Sequence, residues 1–248
     1  MKRFTHESHK LETSGSTPAF RNHIMTNIDC IYVNGDSWAH GYGLADDTRL
    51  DQCWGGLIAK HYGVEYIHNT QPGGSNQRIV RTMVQDLDQL LTQGRNPLVL
   101  ISWTHLHRYE LNRNDTGQWD RFSGTAYDGD LKLAEIVTAK YNGDHGNLEN
   151  FFVQVLLIQA YLRDRGLKSL MFPTFRIPFE FMSEQERATI AVKADLVNFL
   201  HDFSLRGYLS SFNDIEYIDE HPGVEGHQLI ADFLITQITR RNLIKNLY

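Results

Sequence analysis

The chain of 248 residues has only two cysteines and six prolines. Cys30 and Cys53 cannot build a disulfide framework, and neither belongs to a Cys/His pattern with zinc-ligand spacing. A reducing compartment suits that usage best. No run approaches the ~18 consecutive apolar residues of a membrane-spanning helix, so no membrane partner is expected. Basic residues do not dominate either. There are 24 Lys+Arg against 30 Asp+Glu, a formal net charge of −6, which argues against a nucleic-acid partner bound through a basic face. The 12 histidines show neither HxxxH nor HExxH spacing, so no metal is expected. Residues 71–76 lack the glycine pattern of a phosphate cradle, and no cofactor is implied.

What is present reads as a soluble globular protein: 41% hydrophobic and 22% charged residues. Residues 1–25 are polar, with Ser, Thr, Gly and Pro and no apolar core of a signal peptide. They are expected to form a loosely ordered tail on a cytoplasmic protein. Residues 26–248 then form one domain, long enough to bury a sizeable core. A segment rich in Asn, Asp, Gly and Tyr, near 108–146, reads as an insertion in it, with a helical piece at 131–141.

Strand and helix signals alternate along this domain. Residues 29–34, 64–68, 97–103 and 167–172 read as strands, with 215–218 as a short fifth. The run Pro97 to Trp103 is apolar almost throughout, as expected of a parallel strand covered on both faces. Helices are expected at 52–61, closed by Gly63, and from Ser75 or Asn76 to about Leu91. Others are expected at 148–165, over most of 183–203 with Ser183 and Glu186 as a capping box, and at 226–243. The alternation predicts a three-layer α/β/α fold around a doubly wound parallel sheet of about five strands. In such sheets ligands bind beyond the carboxyl ends of the strands.

Two short motifs stand where chemistry could occur. Gly35-Asp36-Ser37 directly follows the first strand, where a serine can expose its Oγ beside free backbone N–H groups. Asp219-Glu220-His221-Pro222 directly precedes the last helix. A serine hydroxyl is a weak nucleophile until a base takes its proton, and histidine suits that task near neutrality. Taken singly, each motif is also what an ordinary turn or a loop histidine would look like.

Together they resemble the SGNH/GDSL hydrolase superfamily, over roughly residues 28–243. The resemblance implies a flavodoxin-like fold, Ser37 as nucleophile and His221 as general base. Asn69 and Gly74 match the spacing of the family's second block, which implies that the Ser37 and Gly74 N–H groups face an oxyanion. Two departures stand out. Thr104 occupies the place of the asparagine in the family's third block, so Thr104 or Asn76 must supply the side-chain donor. The usual aspartate three residues before the histidine is Ile218, which leaves Asp219 as the expected acid, with Glu220 and Asp214 as fallbacks.

Asp36, Trp38, His105 and Arg108 are expected to contact substrate, and His40 and Tyr42 to line the pocket. Arg108 and Glu110 could instead pair with each other, and His227 reads as a packing or capping residue. The reading that follows is an esterase acting on a small-molecule or glycan ester. An acyltransferase with the same residues, or a non-catalytic binding module, are its rivals. The oligomeric state is left open.

Overall fold

The structure, a computed structural model, describes residues 28–123, 126–127 and 143–244. The tail expected at 1–25 and the helical piece expected at 131–141 lie outside the described residues. Four parallel strands form the central sheet: β1 (Cys30–Asn34), β2 (Glu65–His68), β3 (Pro97–Trp103) and β7 (Ser169–Pro173). Their order is β2-β1-β3-β7. The chain steps from β1 to β2 on one side, then crosses to β3 on the other. The switch point of this doubly wound sheet is therefore between β1 and β3, which is where such folds open a crevice for ligands.

Side-chain alternation along the strands splits the core in two. Ile31, Val33, Leu98, Leu100, Leu170 and Phe172 face one way, onto α3 (Trp54–Tyr62) and α8 (Val224–Arg240). Tyr32, Val99, Ile101, Trp103 and Met171 face the other, onto α4 (Asn76–Thr92) and α5 (Asp144–Asp164). Three layers result, as the alternating pattern predicts. Ser75 caps α4 by accepting from the Arg78 N–H, and Gly63 ends α3 in the left-handed conformation. Short helices α1 (Ser37–His40) and α2 (Arg49–Gln52) precede α3, which is separated from α2 by the extended Cys53.

The sheet's fifth position is filled differently from expectation. Residues 183–203 are not one helix: α6 (Glu184–Lys193) stops early. Gln159 grips the backbone N–H and C=O of Asp195 with its side-chain amide, and the Asp195 carboxylate accepts from the Val197 N–H. Those local bonds compete with helix continuation. The chain then runs alongside β7, where the buried Phe199 bridges in parallel to Met171. Residues 215–218 do not join the sheet. Only Tyr217–Ile218 (β8) is extended, and it pairs antiparallel with His221–Pro222 (β9).

Between β3 and α5, strands β4 (Arg108–Asn112), β5 (Trp119–Ser123) and β6 (Ala126–Tyr127) form a small antiparallel sheet. It leans on α4 through an ion pair from the half-buried Arg81 to the buried Glu110 at 2.7 Å, and through Gln77, which accepts from the Glu110 N–H. The alternative Arg108–Glu110 pair does not form, although both side chains stand on one face of β4, because each has a partner on another element: Asp36 for Arg108 and Arg81 for Glu110. A 3₁₀ turn at Phe179–Phe181 precedes α6, and α7 (Leu205–Leu209) is the last helix before β8. Among the described residues, no helix is long and apolar enough to cross a membrane.

Candidate active site

Gly35 lets the chain turn sharply out of β1. A Cβ there would stand 2.7 Å from the Ala39 Cβ and 3.0 Å from the Ser102 carbonyl oxygen, so only glycine fits between α1 and β3. Asp36 then caps α1, its carboxylate accepting from the Trp38 N–H at 3.0 Å. Ser37 opens the helix at the carboxyl end of β1, and its N–H has no hydrogen-bond partner among the described residues. That leaves a backbone donor beside the hydroxyl at the positive end of a helical turn.

From the far end of the chain, His221 arrives on β9. Its Nε2 is 2.8 Å from the Ser37 Oγ, across 184 positions of sequence. Its Nδ1 is 2.6 Å from the main-chain carbonyl oxygen of Asp219. A carbonyl can only accept, so Nδ1 carries the proton and Nε2 is left to accept from the serine hydroxyl. This contact differs from expectation: Asp219 meets His221 through its backbone, and among the described residues no carboxylate bonds to the ring. The cause lies in the turn. Asp219 and Glu220 form the two-residue connection of the β8–β9 hairpin, both with positive φ, 49° and 64°. The two left-handed residues make a primed hairpin turn, and in it the Asp219 carbonyl faces the ring of His221. Neither Glu220 nor Asp214 bonds to His221 among the described residues.

The remaining donors expected at an oxyanion are engaged elsewhere. The Gly74 N–H closes the turn from Gln71, whose carbonyl accepts it at 3.0 Å, with Gly73 at φ 72°. The Thr104 hydroxyl donates to the Asp36 carboxylate at 2.7 Å. Asn76 clasps the Thr104 backbone, accepting from its N–H at 2.9 Å and donating to its carbonyl at 3.2 Å. One Asn76 amide hydrogen stays without a partner among the described residues.

Of the expected substrate contacts, Asp36 and Trp38 turn inward. Asp36 is 0% exposed, and its oxygens accept from Thr104, the Trp38 N–H and Arg108 Nη1, the last at 3.1 Å. Trp38 is buried, with its ring edge-on to Phe175 and its carbonyl accepting from the Trp54 indole. Both therefore build the site floor: with the Thr174 hydroxyl as a fourth donor at 3.5 Å, the Asp36 carboxylate has little left to offer a ligand. Arg108 stays half-covered over that floor and pairs with Asp36. His105 is exposed and stacks on Phe175 at 3.6 Å between ring centroids. Loss of water on its stacked side, then the charge of Arg108, pushes its pKa down to about 4, so the ring is neutral at pH 7.

Tyr42 lines the opening, 44% exposed with its ring 4.8 Å from that of His221. His40 does not: it is tied to Thr70 and Arg49, and burial followed by the Arg49 charge lowers its pKa. His227 is buried on α8, accepting from the Trp54 N–H at 3.3 Å. Sequence reasoning missed Thr174 and Phe175. Thr174 bonds to Ser102 at 2.7 Å under Asp36, and Phe175 braces Trp38 and His105. Both directly follow β7, so their place at the sheet's carboxyl edge was the available signal. Among the described residues, one group could hold a metal: His145, Glu149 and Glu186, exposed or half-exposed, on α5 and α6. There Glu186 already serves the Ser183 capping box and bonds to His145 at 2.8 Å.

Residues 38–246 match the profile described as "Family of unknown function (DUF6071)". The chain belongs to this family. No curated protein matches this DUF6071 member in sequence. Among solved structures, it is similar to the psychrotrophic esterase EstA from Pseudoalteromonas sp., inhibited by monoethylphosphonate. The two are 14% identical, with a TM-score of 0.51 over 86% of this chain and 97% of that one. TesA is also 14% identical, at 0.49 over 86% and 99%. The acetyl xylan esterase Est2A from the rumen bacterium Butyrivibrio proteoclasticus is 12% identical, at 0.49 over 87% and 64%. At the level of the fold, the resemblance of this DUF6071 chain to SGNH/GDSL hydrolases holds.

Proposed function

We propose that this protein is an esterase in which Ser37 attacks the carbonyl of a small-molecule or glycan ester. One observation carries the reading: Ser37 Oγ lies 2.8 Å from the Nε2 of His221, within the range of a hydroxyl hydrogen bond to a base. As the Oγ–carbon bond forms, the carbonyl π pair moves to oxygen and His221 Nε2 takes the serine proton. Collapse of the tetrahedral species breaks the ester C–O bond, and the imidazolium returns the proton to the leaving alcohol. Water repeats the sequence on the acyl-enzyme and frees the acid. Asp219 orients His221 throughout, through its carbonyl. The Ser37 N–H and the unused Asn76 amide hydrogen face the developing oxyanion. Gly74 joins them once its turn to Gln71 opens.

Exposed aromatic rings beside the site, Tyr42 and Tyr217, suit the flat apolar faces of a sugar better than a long acyl chain. The esterase activity of EstA and its inhibition by a phosphonate support the same chemistry. A binding module without catalysis is the rival, favoured by the absence of a carboxylate on His221 and by the engaged Gly74 and Thr104 donors. A fluorophosphonate probe separates the two. The wild-type protein should label and hydrolyse p-nitrophenyl acetate, while Ser37→Ala should do neither. A wild-type protein that neither labels nor turns over would sink the esterase reading.

A further inference from the structure

The free donors at Ser37 are at the low end of what the chemistry needs: its own N–H and the spare Asn76 amide hydrogen. Stabilising an oxyanion in acyl transfer takes two or three aligned N–H or O–H groups. Around Ser37 the Gly74 N–H serves a turn and the Thr104 hydroxyl serves Asp36. Yet one strongly polar group reaches the side chain of Asp36, next to Ser37 in sequence, with donors to spare. Arg108 Nη1 bonds both to Asp36, the residue preceding the serine, at 3.1 Å, and to the Thr104 hydroxyl at 2.5 Å. A guanidinium has five N–H bonds in a rigid fork, and these two contacts use two of them. The Nη2 and Nε hydrogens have no hydrogen-bond partner among the described residues. The side chain is 16% exposed, against 0% for Asp36, so its outer edge faces the solvent side of the site.

We propose that Arg108 is a catalytic residue: its outer N–H groups donate to the substrate's carbonyl oxygen as negative charge gathers there. This rests on Ser37 as nucleophile and adds the donor that the engaged Thr104 cannot give. The inner half of the fork is held by Asp36 and Thr104, so the guanidinium is fixed before substrate arrives. Asp36 offsets its charge, which allows an arginine to remain in a site of little water. Arg108 gives up no proton. The carbonyl π pair moves to oxygen, the oxygen accepts hydrogen bonds from Arg108, the Ser37 N–H and the spare Asn76 amide hydrogen, and His221 carries the proton. The ring of Phe175, 5.9 Å from the guanidinium carbon, closes one side of the arrangement.

The test compares wild type, Arg108→Lys and Arg108→Met on p-nitrophenyl acetate. Lysine keeps a positive charge for Asp36 but loses the fork. The expected result is a fall in kcat of about 10²–10³-fold for both variants, as for loss of one oxyanion donor, with KM moved less than about threefold. The rate of fluorophosphonate labelling should drop in parallel, since its adduct also carries a negative oxygen. A kcat unchanged in folded variants overturns the proposal. So does a fall in kcat that tracks a rise in KM and a loss of Tm, which would make Arg108 a positioning residue. If the variants do not fold, the crystal structure of the wild-type fluorophosphonate adduct decides. A phosphoryl oxygen about 3 Å from an Arg108 nitrogen supports the proposal, and one beyond hydrogen-bond reach overturns it. A wild-type enzyme that turns over while the Lys and Met variants match it sinks only the Arg108 assignment. A wild type that neither labels nor turns over sinks the esterase reading, and this one with it.

Discussion

The Nδ1 of His221 is held by the main-chain carbonyl of Asp219, 2.6 Å away, and by no carboxylate among the described residues. The carbonyl sets the tautomer as well as an aspartate would. It brings no negative charge to the imidazolium of the proposed reaction.

Substitution of the Asp219 side chain should therefore be mild. In serine triads where an aspartate carboxylate holds the histidine, its replacement by asparagine lowers kcat by about 10⁴-fold. Here Asp219→Asn, which tolerates the positive φ, should keep kcat within about tenfold of wild type, because the orienting atom belongs to the backbone. Esterase kinetics on the purified variant check it. A loss of several thousandfold would show that the carboxylate swings onto the ring during catalysis.

Glu220 occupies the second left-handed position of the same hairpin turn, at φ 64°. Non-glycine residues are strained there by about 1–2 kcal/mol, and a primed two-residue turn favours glycine at that place. Glu220→Gly should raise Tm by about 2–4 °C, the shift that about 1 kcal/mol gives a chain of this size. A calorimetric scan reads this directly. An unchanged or lower Tm would mean that the Glu220 side chain stabilises the turn in some way that outweighs the strain.

His227 gives the protein a built-in acid sensitivity. Burial, then the nearby charge of His221, pushes its pKa from 6.5 down to about 3. The unfolded chain binds this proton near pH 6.5 and the native state does not. Stability is thus fully present above that pH and drains as the pH falls toward 3, at up to about 1.4 kcal/mol per unit. His227→Asn offers the Trp54 N–H an acceptor that does not titrate. Urea unfolding of both proteins between about pH 7 and pH 4 should show a shallower decline in the variant. Parallel curves would mean that His227 is not the group responsible.

Much of the fold could be read before any coordinates. The apolar run from Pro97 to Trp103 announces a strand buried on both faces. The Ser75 cap, the Gly63 stop and the Ser183–Glu186 box mark helix ends through local bonding that the sequence spells out. The errors came where a distant partner overrode local preference. Residues 183–203 carry a helical pattern, but Gln159, on another helix, grips Asp195 and frees Phe199 for the sheet edge. Residues 215–218 read as a short sheet strand, yet Tyr217 and Ile218 find their partner in the segment just after them.

By itself, the sequence determined that an α/β sheet would place a serine at the end of its first strand and a histidine just before its last helix. Residue type and strand–turn–helix spacing are local properties, and they suffice for that. Only the tertiary structure decided which atoms meet. It drew the Asp36 carboxylate inward onto Arg108, committed Thr104 to Asp36, and presented to His221 the carbonyl of Asp219 in place of its carboxylate. Those outcomes turn on hydrogen-bond directions and on charges that must find partners once water is excluded, and neither exists until the strands and loops have closed around them.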